Sequence, residues 1–136
     1  MKTVTVERVI STPPEKVWAF ISNFADFPGN GNTVVINHAG DPKAYGAGTI
    51  RTITNGNRQF VERIETIDPP HAFTYSLLSG APVKEYHGRA EFNGLGNKTK
   101  IRWSGTFKPA LPGTGWILAW ITRKIIQGII ADLEKV

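Results

Sequence analysis

Leu111-Pro-Gly-Thr-Gly-Trp-Ile-Leu-Ala-Trp-Ile-Thr-Arg-Lys-Ile-Ile-Gln-Gly-Ile-Ile-Ala-Asp-Leu-Glu-Lys-Val136 is the stretch around which the chain is organised. Pro112 and Gly113 mark a turn, Thr114 is a cap candidate, and no proline follows. The spacing predicts a helix running to the end, about 20 residues or ~30 Å long, enough to cross a small domain. Ile126, Ile129, Ile130 and Leu133 form an apolar stripe, with Arg123, Lys124, Gln127, Asp132 and Glu134 mostly on the other side. The segment from Trp116 to Ile121 is apolar all round. One packed sheet covers only one side of a helix, so this half calls for a second cover: a wider core, a cavity wall, a dimer contact or a membrane-facing tip.

The rest of the chain reads mainly as strands. Val4 to Thr12 alternates β-branched and polar residues, the period of a half-buried strand. Thr12-Pro13-Pro14-Glu15 starts a short helix with Thr12 as cap and Val17, Trp18, Phe20 and Ile21 on its buried face. Phe24 to Pro28 reads as a second short helix, followed by the polar, glycine-rich loop Gly29 to Asn32. Strands are then expected over Thr33–His38, Thr49–Thr54, Arg58–Ile67, Phe73–Leu78, Lys84–Asn93 and Lys98–Lys108. Consecutive hairpins of this kind make an antiparallel meander with one face free to pack on a helix. The expected fold class is α+β: about seven antiparallel strands curved around the C-terminal helix, with two short helices after the first strand, in a single domain spanning residues 1–136.

Turn chemistry sets expected registers. Asn55-Gly56 as a two-residue turn places Arg51 opposite Phe60, Thr49 opposite Glu62 and Ile53 opposite Arg58. Arg51 and Glu62 become diagonal neighbours on one face beside Ile53, Phe60 and Ile64. Gly94 to Asn97 as a four-residue loop sets Gly88 against Trp103 and Tyr86 against Gly105, on a face shared with Ala90, Phe92, Thr99 and Ile101. The opposite face carries His87 against Ser104 and a repulsive Arg89–Arg102 pair.

Bulk properties narrow the function. Sixteen Lys and Arg against eleven Asp and Glu give a net charge of +5, but the basic residues are scattered and never form a block. Nucleic acid is therefore not an expected partner. The absence of cysteine excludes disulfides, thiol nucleophiles and Cys-based zinc sites, and with no signal-peptide pattern the expected location is cytoplasmic. The longest apolar run is far too short to span a bilayer. His38, His71 and His87 fall on different elements without metal-ligand spacing, and neither a Gly-x-Ser-x-Gly elbow nor a phosphate-binding Gly-Lys-Ser/Thr motif occurs. No metal and no cofactor are expected.

The element order resembles the START-like superfamily that includes the birch-pollen allergen, the helix-grip or SRPBCC proteins, and within it the bacterial polyketide cyclase/dehydrase-like branch. The resemblance is carried by Val6-Glu-Arg-Val-Ile-Ser-Thr-Pro-Pro-Glu-Lys-Val-Trp18, Gly46-Ala-Gly-Thr-Ile-Arg51, Glu62-Arg-Ile64, Tyr75, Tyr86-His-Gly88 and Arg102-Trp-Ser-Gly-Thr-Phe-Lys-Pro109. It implies a strongly curved sheet gripping the C-terminal helix, with an elongated hydrophobic cavity between them.

With this cavity in view, Ile53, Phe60, Tyr75, Tyr86, Trp103, Phe107 and Trp120 are its expected apolar and aromatic lining. Arg51 and Glu62 are its charged pair. The first functional reading is binding of a small hydrophobic ligand: a lipid, a polyketide or an aromatic metabolite. In this reading Arg51 anchors a carboxylate, phosphate or enolate oxygen. The rival reading is a polyketide cyclase or dehydratase with Glu62 and Arg51 as catalytic candidates. A third is a protein-interaction domain, since relatives include chaperone regulators; the Trp116–Trp120 segment would serve it, or a homodimer.

Overall fold

Among the described residues, alternating β-branched and polar residues build seven strands, and two stretches with helical periodicity build the helices between and after them. The computed structural model describes residues 1–25, 32–40 and 46–136. Their order is β1 (Lys2–Ile10), α1 (Pro14–Ile21), β2 (Asn32–His38), β3 (Ile50–Asn55), β4 (Arg58–Asp68), β5 (Ala72–Ser79), β6 (Val83–Leu95), β7 (Lys98–Pro109) and α2 (Gly115–Leu133). All strands join one antiparallel sheet in the order β1-β7-β6-β5-β4-β3-β2. This is the expected α+β arrangement. Of the second short helix expected at Phe24–Pro28, Phe24 and Ala25 form a turn, and residues 26–28 lie outside the described residues.

Both hairpin registers differ from expectation by two positions. Arg51 pairs directly with Glu62, Ile53 with Phe60 and Asn55 with Arg58, so the central turn residues are Gly56 and Asn57. Gly56 has φ +59°, which suits the two-residue turn with glycine in its first central position. The β6–β7 turn uses the same device at Gly96-Asn97, with Gly96 at φ +64°. Trp103 therefore faces Ala90, Gly88 faces Gly105, and Tyr86 faces Phe107. A shift of two keeps every side chain on its expected face, because the strand period is two. It also removes the expected Arg89–Arg102 clash: Arg102 lies opposite Glu91, and Arg89 Nε donates to Glu91 Oε1 at 2.8 Å.

The β4–β5 ladder slips twice. One slip leaves Leu78 without a partner, between Val61↔Ser79 and Glu62↔Leu77; the other leaves Glu65, between Ile64↔Tyr75 and Thr66↔Thr74. Such bulges bend a strand and increase its twist, which helps the sheet curve.

The core fills the concave side. Val6, Ile10, Phe73, Phe92, Ile101 and Trp103 from the sheet meet Val17 and Ile21 of α1 and Ile126, Ile129, Ile130 and Leu133 of α2. Each of these four α2 side chains contributes about 1.5–3 kcal/mol by leaving water. They are the stripe read from the sequence. The earlier half of α2 behaves differently, with Trp116, Ile117 and Trp120 exposed.

Neither expected cap forms through its side chain. Pro13 occupies the N-cap position of α1, and the Thr12 hydroxyl points instead at the end of α2, donating to the carbonyls of Leu133 and Glu134 at 3.2 and 3.3 Å. Thr114 donates to the Leu111 carbonyl at 2.7 Å. Among the described residues, α2 lies against β1, β7 and α1, and α1 against β6, β7 and α2. Ile64 of β4 and Phe73 and Tyr75 of β5 point into the same core.

Candidate functional site

The concave side of β3 and β4 carries a buried ion pair. The Gly56-Asn57 turn sets Arg51 and Glu62 directly opposite each other, 5 % and 9 % exposed respectively. Arg51 Nη2 and Nε donate to the same Glu62 oxygen at 3.0 and 3.3 Å. Its Nη1 donates to the Phe24 carbonyl at 3.2 Å, and the guanidinium carbon lies 5.5 Å from the centre of the Phe24 ring. Removing charges from water costs several kcal/mol per ion, so this arrangement persists because each partner satisfies the other. Phe24 was not among the expected site residues. Its position immediately after the point where α1 fails is the only sequence signal for it.

Beside the pair stands an aromatic wall. Phe73 of β5 contacts the rings of Phe24, Tyr75, Phe92 and Trp103 at centroid distances of 5.4, 5.9, 6.3 and 5.8 Å. Trp103 Nε1 donates to the Tyr75 hydroxyl at 3.0 Å. Tyr75 leans on Tyr86, which stacks on Phe107 at 6.1 Å with an 11° interplanar angle. Gly88 and Gly105 provide room for the two phenols: a Cβ on Gly88 would lie 2.1 Å from Tyr75 Cζ, and one on Gly105 would lie 2.2 Å from the Tyr86 hydroxyl oxygen.

The wall holds its acids protonated. Burial, followed by the neighbouring Tyr86 and the charge of Glu62, pushes the Tyr75 phenol well above its ordinary value of 10.0. Burial also pushes Tyr86 up to about 12, with Glu62 acting in the same direction. Both are neutral hydrogen-bonding groups at physiological pH, within the electrostatic reach of one carboxylate.

Of the nine expected site residues, Arg51, Glu62, Tyr75, Tyr86, Trp103 and Phe107 gather here. Ile53 is buried next to Arg51 on β3, and Phe60, its partner on β4, is half-buried against Gly80. Trp120 stands apart on the exposed side of α2. Among the described residues, hollows lie elsewhere. One of about 600 Å³ opens on the convex side of the sheet, where Ser76 and His87 face each other at 3.0 Å between Arg63 and Arg89. Another, about 390 Å³, lies between α1 and Pro69. Among the described residues, no group of three His, Cys, Asp or Glu is placed to hold a metal ion.

The family described as "Polyketide cyclase / dehydrase and lipid transport" matches residues 1–136. No curated protein matches the sequence. Solved structures with the same fold include a START superfamily protein from Mycobacterium smegmatis, with a TM-score of 0.80 and 13 % identity over 98 % of this chain and 94 % of that one. Ara h 8.0201 superposes with a TM-score of 0.78 and 16 % identity over 98 % and 95 %. Norcoclaurine synthase from Thalictrum flavum, in complex with dopamine and hydroxybenzaldehyde, superposes with a TM-score of 0.72 and 16 % identity over 98 % and 84 %. The fold is the helix-grip fold of these proteins.

Proposed function

Because the chain belongs to the polyketide cyclase/dehydrase and lipid transport family, we propose that it binds a small, mostly apolar ligand on the concave face, between the sheet and α2. The observation that carries this reading is the Arg51–Glu62 pair, buried at the edge of an aromatic wall on the concave face. Apolar pockets with a few fixed polar groups are the usual design of small-molecule sites. Arg51 offers a rigid, permanently charged fork to an acidic or oxyanion-bearing end of the ligand, and Glu62 holds that fork in place. Tyr75, Tyr86, Trp103 and Phe107 supply the apolar surface.

Native mass spectrometry of the purified protein reads any ligand that accompanies it. An acidic probe, anilinonaphthalene sulfonate, and a neutral one, phenylnaphthylamine, then separate the anchor from the wall. Wild type binds both, while the Arg51→Met/Glu62→Leu variant keeps the neutral probe and loses affinity for the acidic one. Equal binding of both probes by both proteins would remove Arg51 from the site.

One observation favours a second reading, catalysis. The charge of Glu62 is near enough to Tyr75 and Tyr86 to raise both phenols, so a carboxylate base and two neutral acids share one apolar surface. That set suits proton transfers on a ketone-bearing substrate, the base taking an α-proton and a phenol hydrogen-bonding the enolate oxygen. In this reading Glu62→Gln abolishes turnover while retaining binding. A ketone-bearing ligand that binds and is released unchanged would leave the protein a binder only.

A further inference from the structure

We propose that the N-terminal half of α2 docks the protein onto an anionic lipid bilayer surface. Trp116 and Trp120 are 68 % and 62 % exposed, Ile117 is 41 % exposed, and Leu111 in the preceding turn is 62 % exposed. Trp116 and Trp120 are one helical turn apart and share a face. Together these residues form an apolar tip at one end of the molecule, beside the start of β1, where Lys2 packs so closely that a Cβ on Gly115 would lie 2.6 Å from its Cε.

The chemistry around the tip selects the partner. One turn further along the exposed side come Arg123 and Lys124, with Lys124 Nζ 5.8 Å from the centre of the Trp120 ring. Arg123 reaches back to the Thr5 carbonyl at 3.2 Å. From Phe92 to Ala131 the sequence contains no Asp or Glu, while Lys98, Lys100, Arg102, Lys108, Arg123 and Lys124 fall within it. Among the described strand residues, the carboxylate nearest in register to Pro109, where the chain leaves β7 for the tip, is Glu85, opposite Lys108. Tryptophan prefers the membrane–water boundary, where its ring is shielded and its N–H stays solvated. Cations one turn behind such rings stand at the level of lipid phosphates. A second copy of the chain fits less well, because a two-fold contact through this tip would bring Arg123 and Lys124 towards their own copies. Among the described residues no helix is long and apolar enough to cross a membrane; the proposed contact is with the surface.

The test is co-sedimentation with large vesicles of phosphatidylcholine alone or mixed with phosphatidylglycerol, read together with tryptophan emission. Binding is expected to the mixed vesicles, with a blue shift of emission, and to weaken as salt is raised. Trp116→Ser/Trp120→Ser should lower vesicle affinity at least tenfold with an unchanged melting temperature, and Lys124→Gln should lower it about fivefold. Leu111→Ser, outside the helix, is an independent variant that weakens binding without touching α2. No binding to mixed vesicles, or equal binding by the double-tryptophan variant, would overturn the proposal. So would a concentration-dependent dimer that the same variant abolishes, since it would give the tip to a second copy.

Discussion

Tyr75 occupies the space above Gly88, its cross-strand partner, so closely that a Cβ on residue 88 would fall 2.1 Å from the phenol ring. The glycine lets Tyr75 lie flat along the sheet, where its hydroxyl accepts from Trp103. Gly88→Ala should therefore cost about 1–3 kcal/mol by overpacking. It should also displace Tyr75 and shift Trp103 fluorescence. A urea titration with unchanged midpoint and emission would show that the ring has free space to move into.

Gly128 provides the opposite case. It lies in the exposed middle of α2, and a Cβ there would meet nothing within 4 Å. Gly128→Ala should stabilise the protein by about 0.5–1 kcal/mol, the helical cost of glycine relative to alanine. Thermal denaturation of the two alanine variants side by side should give shifts of opposite sign.

The Arg51–Glu62 pair should behave as one unit. Arg51→Met or Glu62→Leu leaves one buried charge uncompensated, and each should cost about 3–5 kcal/mol. The double variant should recover most of that loss, although the tie to the Phe24 carbonyl goes with the arginine. Additive losses in a double-mutant cycle would mean that the two side chains act separately.

The raised phenols make a prediction at alkaline pH. The unfolded chain releases tyrosine protons near 10, whereas folded Tyr86 holds its proton to about 12. Between those values the folded state binds more protons, so unfolding becomes easier as pH rises. The contribution of Tyr86 to stability should be constant below about pH 10 and fall between pH 10 and 12. Tyr86→Phe should make that fall shallower. Urea midpoints across this range, with phenolate absorbance in parallel, measure both.

Thr12 joins the two ends of the grip. Its hydroxyl donates to the last carbonyls of α2, and its own carbonyl accepts from Thr99 at 2.8 Å. Helix ends lack internal partners for these carbonyls. Thr12→Val should then speed amide exchange over the last turn of α2 and cost about 1 kcal/mol. Exchange confined to its wild-type rate would place the clasp elsewhere.

Element order and the inner and outer faces of the strands were legible in the sequence, since both follow from local periodicity. Exact pairing was not. In Asn55-Gly56-Asn57 both dipeptides make acceptable two-residue turns, and only the three-dimensional ladder selects Gly56-Asn57. The slips at Leu78 and Glu65 left no local trace either, because a bulge is defined by the partner strand. That Arg51 and Glu62 pair was legible because apolar neighbours on their face made a lone charge costly. Phe24 was missed because its part is played by a backbone carbonyl. Trp120 was placed in the lining because an apolar helix face reads the same whether it meets core or solvent.

The sheet order also has a consequence for how the chain assembles. β2 to β7 each pair with their neighbours in sequence, so that part can zip up hairpin by hairpin. β1 has only β7, and the hydroxyls of Thr3 and Thr106, which meet across that seam, are 103 residues apart. β1, which precedes its partner by most of the domain, is thus among the last to be held, waiting with its apolar side chains unpaired until β7 has formed. The seat of α2 on β1 and β7 waits with it, and φ-values should be high in the β6–β7 hairpin and near zero along β1.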